Sequence, residues 1–174
     1  MKLVVLFGTV EGQTRKIVNA VAEQARTMGH GVTMIDTSDK RAEVNLSGAD
    51  CVILAAPVHE RRHPAAFEAT LTAVRTALTS RPSLMLSVSL KAAFADGHEE
   101  AQDYLTEMKM RTGFEPTQEA LIAGAVRPGG YDYYQSQVVR HVAMAGHEVD
   151  LEEGVREFTD WTSLARVVAA FLNR

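Results

Sequence analysis

The sequence has one cysteine and no long apolar segment. Cys51 cannot form an intramolecular disulfide, and it lies in an apolar stretch where a free cysteine commonly packs as a small buried side chain. The longest apolar stretches, 3–8, 51–58 and 167–172, are far shorter than the roughly 20 residues of a transmembrane helix. Near the first residues we find no apolar segment with a cleavage site of the signal-peptide kind. We therefore expect a cytoplasmic protein without a membrane-spanning helix.

A surplus of positive charge is also absent. The chain has 18 Lys and Arg against 22 Asp and Glu, a net charge of -4, so it offers no general attraction to a phosphate backbone or to anionic lipid. Five acids and one arginine within 147–158 account for the whole net charge. Such a charge run is usually a solvated connector, and a docking surface is the alternative. Nucleic acid is not an expected partner.

Short apolar runs alternate with helical patterns along the 174 residues, of which 46% are hydrophobic. This length predicts one globular domain over 1–174. The alternation predicts an α/β fold, a doubly wound, mostly parallel five-stranded sheet with helices on both faces. The predicted strands are 3–7, 32–35, 51–55, 83–89 and 120–126. Helices are predicted from Thr14 to about Gly29, from Pro64 through the apolar stripe Phe67, Leu71, Val74 and Leu78, around 101–108, over 134–145, and after Thr159 or Asp160 with Trp161, Leu164, Ala165, Val168 and Leu172 facing inward.

The segment 8–14 connects the first predicted strand to the first predicted helix. Backbone N–H groups and the helix dipole at such a position can bind a phosphate without a lysine. Gly12 would allow close approach of the backbone, and the Thr9 and Thr14 hydroxyls could add donors. The chain lacks the Lys-Ser/Thr pair of a triphosphatase loop and the G-x-G-x-x-G pattern. The alternative is an ordinary strand-to-helix turn whose Thr and Gly serve only the cap.

The loop Thr9-Val10-Glu11-Gly12-Gln13-Thr14 resembles the T-x-T-G-x-T phosphate loop of flavodoxins, with Glu11 in place of the middle threonine. An acid followed by Gly-Gln-Thr is similar to one branch of the flavodoxin-like proteins, the menaquinone-dependent protoporphyrinogen IX dehydrogenases. The resemblance continues over nearly the whole chain in order and spacing. The further matching segments are Ala66-Phe67, Ser87-Val88, Ile122-Ala123-Gly124-Ala125 and Thr159-Asp160-Trp161.

This resemblance implies a strand order of 2-1-3-4-5, with FMN at the carboxyl edge of the sheet. Glu11 would contribute its backbone N–H, since its carboxylate must point away from a charged phosphate. Three loops would hold the cofactor. The implied FMN-binding residues are Thr9, Val10, Glu11, Gly12, Gln13 and Thr14 at the phosphate, and Pro57, Val58, His59, Ser87, Val88, Ser89 and Leu90 in the loops after the third and fourth strands.

The resemblance also implies an activity. Protoporphyrinogen IX would give up hydrogen equivalents to FMN, and menaquinone or another quinone would accept them, as a step of heme biosynthesis. FMN would carry the chemistry, so no catalytic side chain is assigned. The candidates for a supporting role are His59, Arg61, Arg62 and His63, a cationic cluster that could bind the substrate's propionates. The alternative is that these are exposed charges before a helix, with His63 capping it.

The chain departs from the family pattern in two loops. After the third strand it has His59-Glu60-Arg61-Arg62-His63 where the family has an aromatic, Tyr-containing loop, so His59 would have to take the stacking role. After the fifth strand, Tyr131, Tyr133 and Tyr134 could form a substrate wall or pack on a helix. His30, His98, His141 and His147 have no metal-site spacing, and no metal is predicted.

Two other functions stay open. One is an electron carrier that binds redox partner proteins, although arginines in the flavin-side loop argue against an acidic docking face there. The other is an FMN-dependent NAD(P)H quinone reductase, which needs no second dinucleotide motif. Peripheral contact with the inner face of the cell membrane and formation of a homo-oligomer also stay open.

Overall fold

The computed structural model describes residues 1–126 and 155–174. Its central feature is a five-stranded sheet in the order β2-β1-β3-β4-β5, with every neighbouring pair parallel. The strands are β1 (Lys2–Phe7), β2 (Gly31–Asp36), β3 (Cys51–Pro57), β4 (Ser83–Ser89) and β5 (Gln118–Ala123). The predicted fold class and the strand order implied by the resemblance are confirmed.

Helices cover both faces of this sheet. They are α1 (Gln13–Thr27), α2 (Ala65–Ala73), α3 (Arg75–Thr79), α4 (His98–Thr112) and α5 (Trp161–Leu172), with 3-10 turns at Lys91–Ala93 and Ala95–Gly97. Two short strands, β6 (Ala125–Val126) and β7 (Arg156–Glu157), pair antiparallel beside the main sheet. None of the described helices is long and apolar enough to cross a membrane.

The core forms two layers, one on each face of the sheet. On one face Phe7 packs with side chains of α1 and α5, including Ile17 and Val168. On the other face α2, α3 and α4 cover the sheet, with Phe67 and Leu105 buried. Strands β3 and β4 are buried along almost their whole length, because helices exclude water from both faces.

The helix predicted from Pro64 is interrupted. It divides at Val74 into α2 and α3, and Pro64 is the N-cap residue instead of lying in the first turn. Thr70 and Thr72 donate side-chain hydrogen bonds to the carbonyl oxygens four residues earlier, at 2.8 and 3.0 Å. Back-bonding of this kind bends helices, which accounts for the interruption of a single apolar stripe.

The fifth predicted strand also ends early. The chain leaves β4 after Ala123, and β6 pairs with β7 instead. At the break the Gly124 N–H donates to the Ser89 carbonyl oxygen at 3.1 Å, and the Phe158 N–H donates to the Gly124 carbonyl oxygen at 3.0 Å.

The last helix begins as predicted at Asp160, whose carboxylate accepts a hydrogen bond from the Ser163 N–H at 3.0 Å. Ala165, predicted to face inward, is exposed, and Phe171 is buried instead. Several predictions fall outside the described residues. They are the helix over 134–145, the tyrosines Tyr131, Tyr133 and Tyr134, His141 and His147, and most of the acidic segment.

Candidate functional site

An open cleft of about 820 Å³ lies at the carboxyl edge of the sheet, where segments following β1, β3, β4 and β5 meet. This volume includes the open solvent at the mouth of the cleft. The cleft brings together ten of the predicted cofactor-binding residues. These are Val10, Glu11, Gln13, Thr14, Pro57, Val58, His59, Val88, Ser89 and Leu90.

The loop between β1 and α1 owes its shape to Gly12. The φ angle of Gly12 is 93°, in the left-handed region that favours glycine, and the Gly12 N–H donates to the Thr9 hydroxyl oxygen at 3.2 Å. A Cβ at Gly12 would meet no atom of the described residues within 4 Å. Within the protein, therefore, the backbone angle and not close packing requires glycine here. Thr9 and Gly12 brace the loop and do not line the cleft.

The surroundings of the Thr14 hydroxyl indicate whether an anion fits this loop. Its side chain lines the cleft, the residue is only 1% exposed, and its Oγ1 has no hydrogen-bond partner among the described residues. The first backbone hydrogen bond of α1 runs from Lys16 N to Gly12 O, so N–H groups earlier in the turn have no intrahelical acceptor. A buried hydroxyl and a helix N-terminus suit a phosphate group.

Glu11 connects the first loop to the loop after β3. Its Oε1 lies 3.8 Å from His59 Nδ1, and both side chains are about 30% exposed, at 28% and 31%. The carboxylate therefore faces His59. When His59 is protonated, the two side chains form an ion pair across the cleft.

The loop after β3 makes a tight turn from His59 to Arg62. Reciprocal backbone hydrogen bonds join these two residues at 2.9 and 3.1 Å, and Glu60 and Arg61 have φ angles of 49° and 65°. Two consecutive positive φ angles are typical of a type I′ turn, which usually contains Asn or Gly. The left-handed conformation costs about 1 kcal/mol or more for each ordinary residue. It brings Glu60 and Arg61 to the cleft.

Glu100, in the first turn of α4, organises the opposite wall. Its carboxylate accepts from Arg61 at 2.5 Å, from the Tyr104 hydroxyl at 2.5 Å and from Lys91 at 3.0 Å. The Arg61 guanidinium also lies over the Tyr104 ring, 5.4 Å from its centroid. The Tyr104 hydrogen bond, with Lys91 and Arg61, lowers the pKa of Glu100, whereas burial and Glu100 raise the pKa of Tyr104. Two cations, Arg61 and Lys91, thus share the carboxylate of Glu100.

The predicted cationic cluster is divided by the structure. His59 and Arg61 line the cleft, whereas Arg62 turns away to Glu68, 3.2 Å from its Oε2. His63 is 1% exposed and its Nε2 lies 2.9 Å from the Ser87 hydroxyl, so Ser87 also faces away from the cleft lining. Burial lowers the pKa of His63 to about 4. The prediction of a cationic His63 is therefore wrong, and so is its capping role, because α2 has no side-chain cap.

The cleft also contains residues that were not predicted as cofactor-binding from the sequence. Glu60, Tyr104, Gly124 and Ala125 line it, and Glu100 lies behind it. Tyr104 belongs to the apolar stripe of α4, whose spacing indicates burial and says nothing of a cleft. Gly124 and Ala125 belong to the Ile-Ala-Gly-Ala segment, whose position at the end of a parallel strand was the available signal. No group of three potential metal ligands occurs within 1–126 and 155–174.

Comparisons with known proteins agree with this architecture. A family model described as a flavodoxin domain matches residues 4–154. The protein named protoporphyrinogen IX dehydrogenase [quinone] from Escherichia coli is 28% identical over 167 residues, covering 95% of this chain and 91% of that protein. Oxidised flavodoxin 1 from Bacillus cereus has a TM-score of 0.60 at 17% identity and covers 100% of this chain and 99% of its own. A Fusobacterium nucleatum flavodoxin bound to flavin mononucleotide has a TM-score of 0.53 at 12% identity, with coverages of 99% and 95%.

Proposed function

The chain belongs to the flavodoxin domain family, and from this premise we propose that it is an FMN-dependent oxidoreductase. The observation that carries the proposal is the buried Thr14 hydroxyl at the start of α1, which has no hydrogen-bond partner within 1–126 and 155–174 and lies in a cleft at the carboxyl edge of the sheet. A buried hydroxyl without a partner is costly, by about 1–3 kcal/mol, unless a ligand satisfies it. The FMN phosphate is a ligand of the right charge and size.

Residues of three loops would bind different parts of FMN. The Thr14 hydroxyl and backbone N–H groups of the first loop would hold the phosphate, and the segments 57–59 and 88–90 would enclose the ring. When bound, FMN supplies a ring system that takes up and releases hydride and electrons. The Glu11 carboxylate faces His59, and we propose that this orientation reduces its repulsion with the phosphate.

Titration of the apoprotein with FMN, followed by quenching of flavin fluorescence, tests this proposal. We expect saturable one-to-one binding, weakened about tenfold or more in Thr14→Val, which loses a hydrogen bond to a charged group. Thr27→Val is the matched control, because the Thr27 hydroxyl bonds only within α1, to the Glu23 carbonyl oxygen at 3.0 Å. Absence of saturable binding by the wild-type protein would contradict the proposal.

We further propose that the substrate is protoporphyrinogen IX and the acceptor a quinone, as part of heme biosynthesis. The proposal is supported by the name and coverage of the Escherichia coli relative. In each round two hydrogen atoms leave the porphyrinogen and one quinone becomes a quinol. Because quinones dissolve in the bilayer, the proposal includes peripheral contact with a membrane.

The cleft wall offers a place for the substrate's propionates. Arg61 and Lys91 share the single Glu100 carboxylate, so a ligand carboxylate could pair with one of these two cations. Binding of the stable product, protoporphyrin IX, and of its dimethyl ester can be compared by porphyrin absorbance. We expect Arg61→Ala to weaken binding of the acid about tenfold and to leave the ester unchanged.

Arg62→Ala is the matched control for this experiment, because Arg62 pairs with Glu68 and does not line the cleft. Equal affinities of both variants for the acid would remove the proposed role of Arg61. Rapid loss of flavin absorbance on mixing with NADH or NADPH, without porphyrinogen turnover, would favour the quinone reductase instead. Turnover with neither donor would favour the electron carrier.

A further inference from the structure

Two segments that are distant in sequence meet at the first residue of α1. The Gln13 side chain is buried, at 6% exposure, and its Nε2 donates to the Thr159 hydroxyl oxygen and to Glu157 Oε2, both at 3.1 Å. The Thr159 hydroxyl in turn donates to the Ala123 carbonyl oxygen at 2.6 Å, at the end of β5. Thr159 therefore joins the Thr-Asp-Trp segment directly to the Ile-Ala-Gly-Ala segment, and Gln13 connects both to α1.

Glu157 completes this arrangement from the other side. Its Oε2 also accepts from Lys16 at 2.5 Å, and its Oε1 accepts from the Trp161 indole N–H at 2.7 Å. The Lys16 ammonium lies over the Trp161 ring, 5.3 Å from the centroid. We call Gln13, Lys16, Ala123, Glu157, Thr159 and Trp161 the Gln13 network.

The hydrogen-bond capacity of the Gln13 network is closely matched. Both Nε2 hydrogens of Gln13 are used, and the Thr159 hydroxyl accepts one hydrogen bond and donates one. Strands β3 and β4 lie between β1 and β5, so the two ends of the cleft are three strand spacings apart, about 14 Å. The network links these ends, since Gln13 lines the cleft at one end and Ala123 directly precedes the lining residues Gly124 and Ala125 at the other.

The N-cap of α1 gives its first turn no side-chain support. Gly12 has no side chain to accept a hydrogen bond from the turn, and its N–H donates to the Thr9 hydroxyl at 3.2 Å. Side chains of the turn bind to neighbouring elements. Arg15 pairs with Asp36 at the end of β2, whereas Gln13 binds to two residues from the far end of the chain. Gln13 is therefore the anchor that connects the turn to the β5 side of the cleft.

We propose that Gln13, Glu157 and Thr159 are positioning residues that preorganise the first turn of α1 for the cofactor's phosphate. The inference rests on the proposed function, in which that phosphate binds at this turn. Groups that are held in place before binding lose less freedom when the ligand arrives, so affinity falls when their anchor is removed. The loss of affinity should therefore concern the phosphate of FMN and not its ring.

Comparison of FMN with riboflavin, which lacks the phosphate, tests the inference. We expect Gln13→Met and Thr159→Val each to weaken FMN binding about tenfold while riboflavin affinity changes little, so the FMN-to-riboflavin ratio falls. Amide hydrogen exchange of residues 13–16 in the apoprotein should become faster in both variants. Thr159→Val serves if Gln13→Met does not fold.

Gln24→Met is the matched control. Gln24 lies on the same helix and its Nε2 also donates to α5, to the Ala165 carbonyl oxygen at 2.8 Å, but near the opposite end of α1. It should leave the affinity ratio at the wild-type value. The inference alone is overturned if the wild-type protein binds FMN and a folded Gln13→Met or Thr159→Val variant keeps both the wild-type FMN-to-riboflavin affinity ratio and the wild-type amide exchange rates. Failure of the wild-type protein to bind FMN overturns the proposed function.

Discussion

Mild acid should destabilise the protein through His63. The imidazole is 1% exposed, its Nε2 lies 2.9 Å from the Ser87 hydroxyl, and its Nδ1 is buried without a partner among the described residues. A proton on Nδ1 would have no acceptor. Burial therefore lowers the pKa of His63 from 6.5 to about 4, against the opposing attraction of Glu68 and with a smaller contribution from Arg111.

The direction of the pH effect follows from this difference. Below pH 6.5 the unfolded chain binds a proton at His63, whereas the folded protein does so only near pH 4. The stabilisation that comes from keeping His63 neutral is thus complete above pH 6.5. The free energy of unfolding falls as the pH decreases from 6.5 to about 4. At about 1.36 kcal/mol for each pKa unit, the total loss is about 3 kcal/mol.

Urea unfolding between about pH 7 and pH 5 measures this slope, a range in which aspartate and glutamate mostly keep their charge. His63→Gln keeps an amide near Ser87 and removes the titration, so its stability should vary less with pH than that of the wild-type protein. His98→Gln, at an exposed histidine, controls for the type of substitution. Equal pH slopes for the wild-type protein and His63→Gln would refute the reasoning.

Three further substitutions test a positive φ angle, a close backbone contact and a buried ion pair. Gly12→Ala should cost about 1–2 kcal/mol in urea unfolding because of the φ of 93°, and unchanged stability would show that the loop relaxes. Gly97→Ala should cost about 2 kcal/mol by thermal unfolding, since its Cβ would overlap the Lys91 carbonyl oxygen, and Ala95→Ser is the exposed control in the same turn. Arg111→Ala should destabilise by about 3 kcal/mol, because Arg111 binds the buried Glu68 through two nitrogens at 2.7 and 3.0 Å. Arg62→Ala, which removes a single contact at 3.2 Å, should cost less, and equal losses would contradict this ranking.

The sheet was predictable because its signal is local. A strand buried on both faces is mainly apolar, and the predicted strand over 83–89 coincides with β4, in which three serines are buried beside the apolar side chains. The break of the helix at Val74 was not predictable from periodicity, because the stripe through Phe67, Leu71 and Leu78 continues across it. The interruption depends on threonine hydroxyls that bond backward along the helix.

The location of the cleft was also predictable, whereas the roles of neighbouring polar residues were not. Carboxyl ends of parallel strands share one edge, so the loops after β1, β3 and β4 had to meet. Arg61 and His63 are two residues apart, yet one lines the cleft and the other is buried and neutral. The separation depends on the turn at Glu60 and Arg61, and neither residue type has a local preference for positive φ.

Two of the departures from the flavodoxin pattern meet in the structure. Glu11 replaces a threonine of the phosphate loop, His59 lies in the loop after β3 where the resemblance leads us to expect an aromatic residue, and their side chains approach to 3.8 Å. Two like charges about 4 Å apart repel by about 4 kcal/mol at an effective dielectric constant near 20, so a carboxylate in a phosphate loop has to be held apart from the phosphate. The contact with His59 is a feature of this loop that can hold the Glu11 carboxylate aside. Replacing His59 alone would remove this contact, so a variant with a flavodoxin-type loop should exchange both positions together.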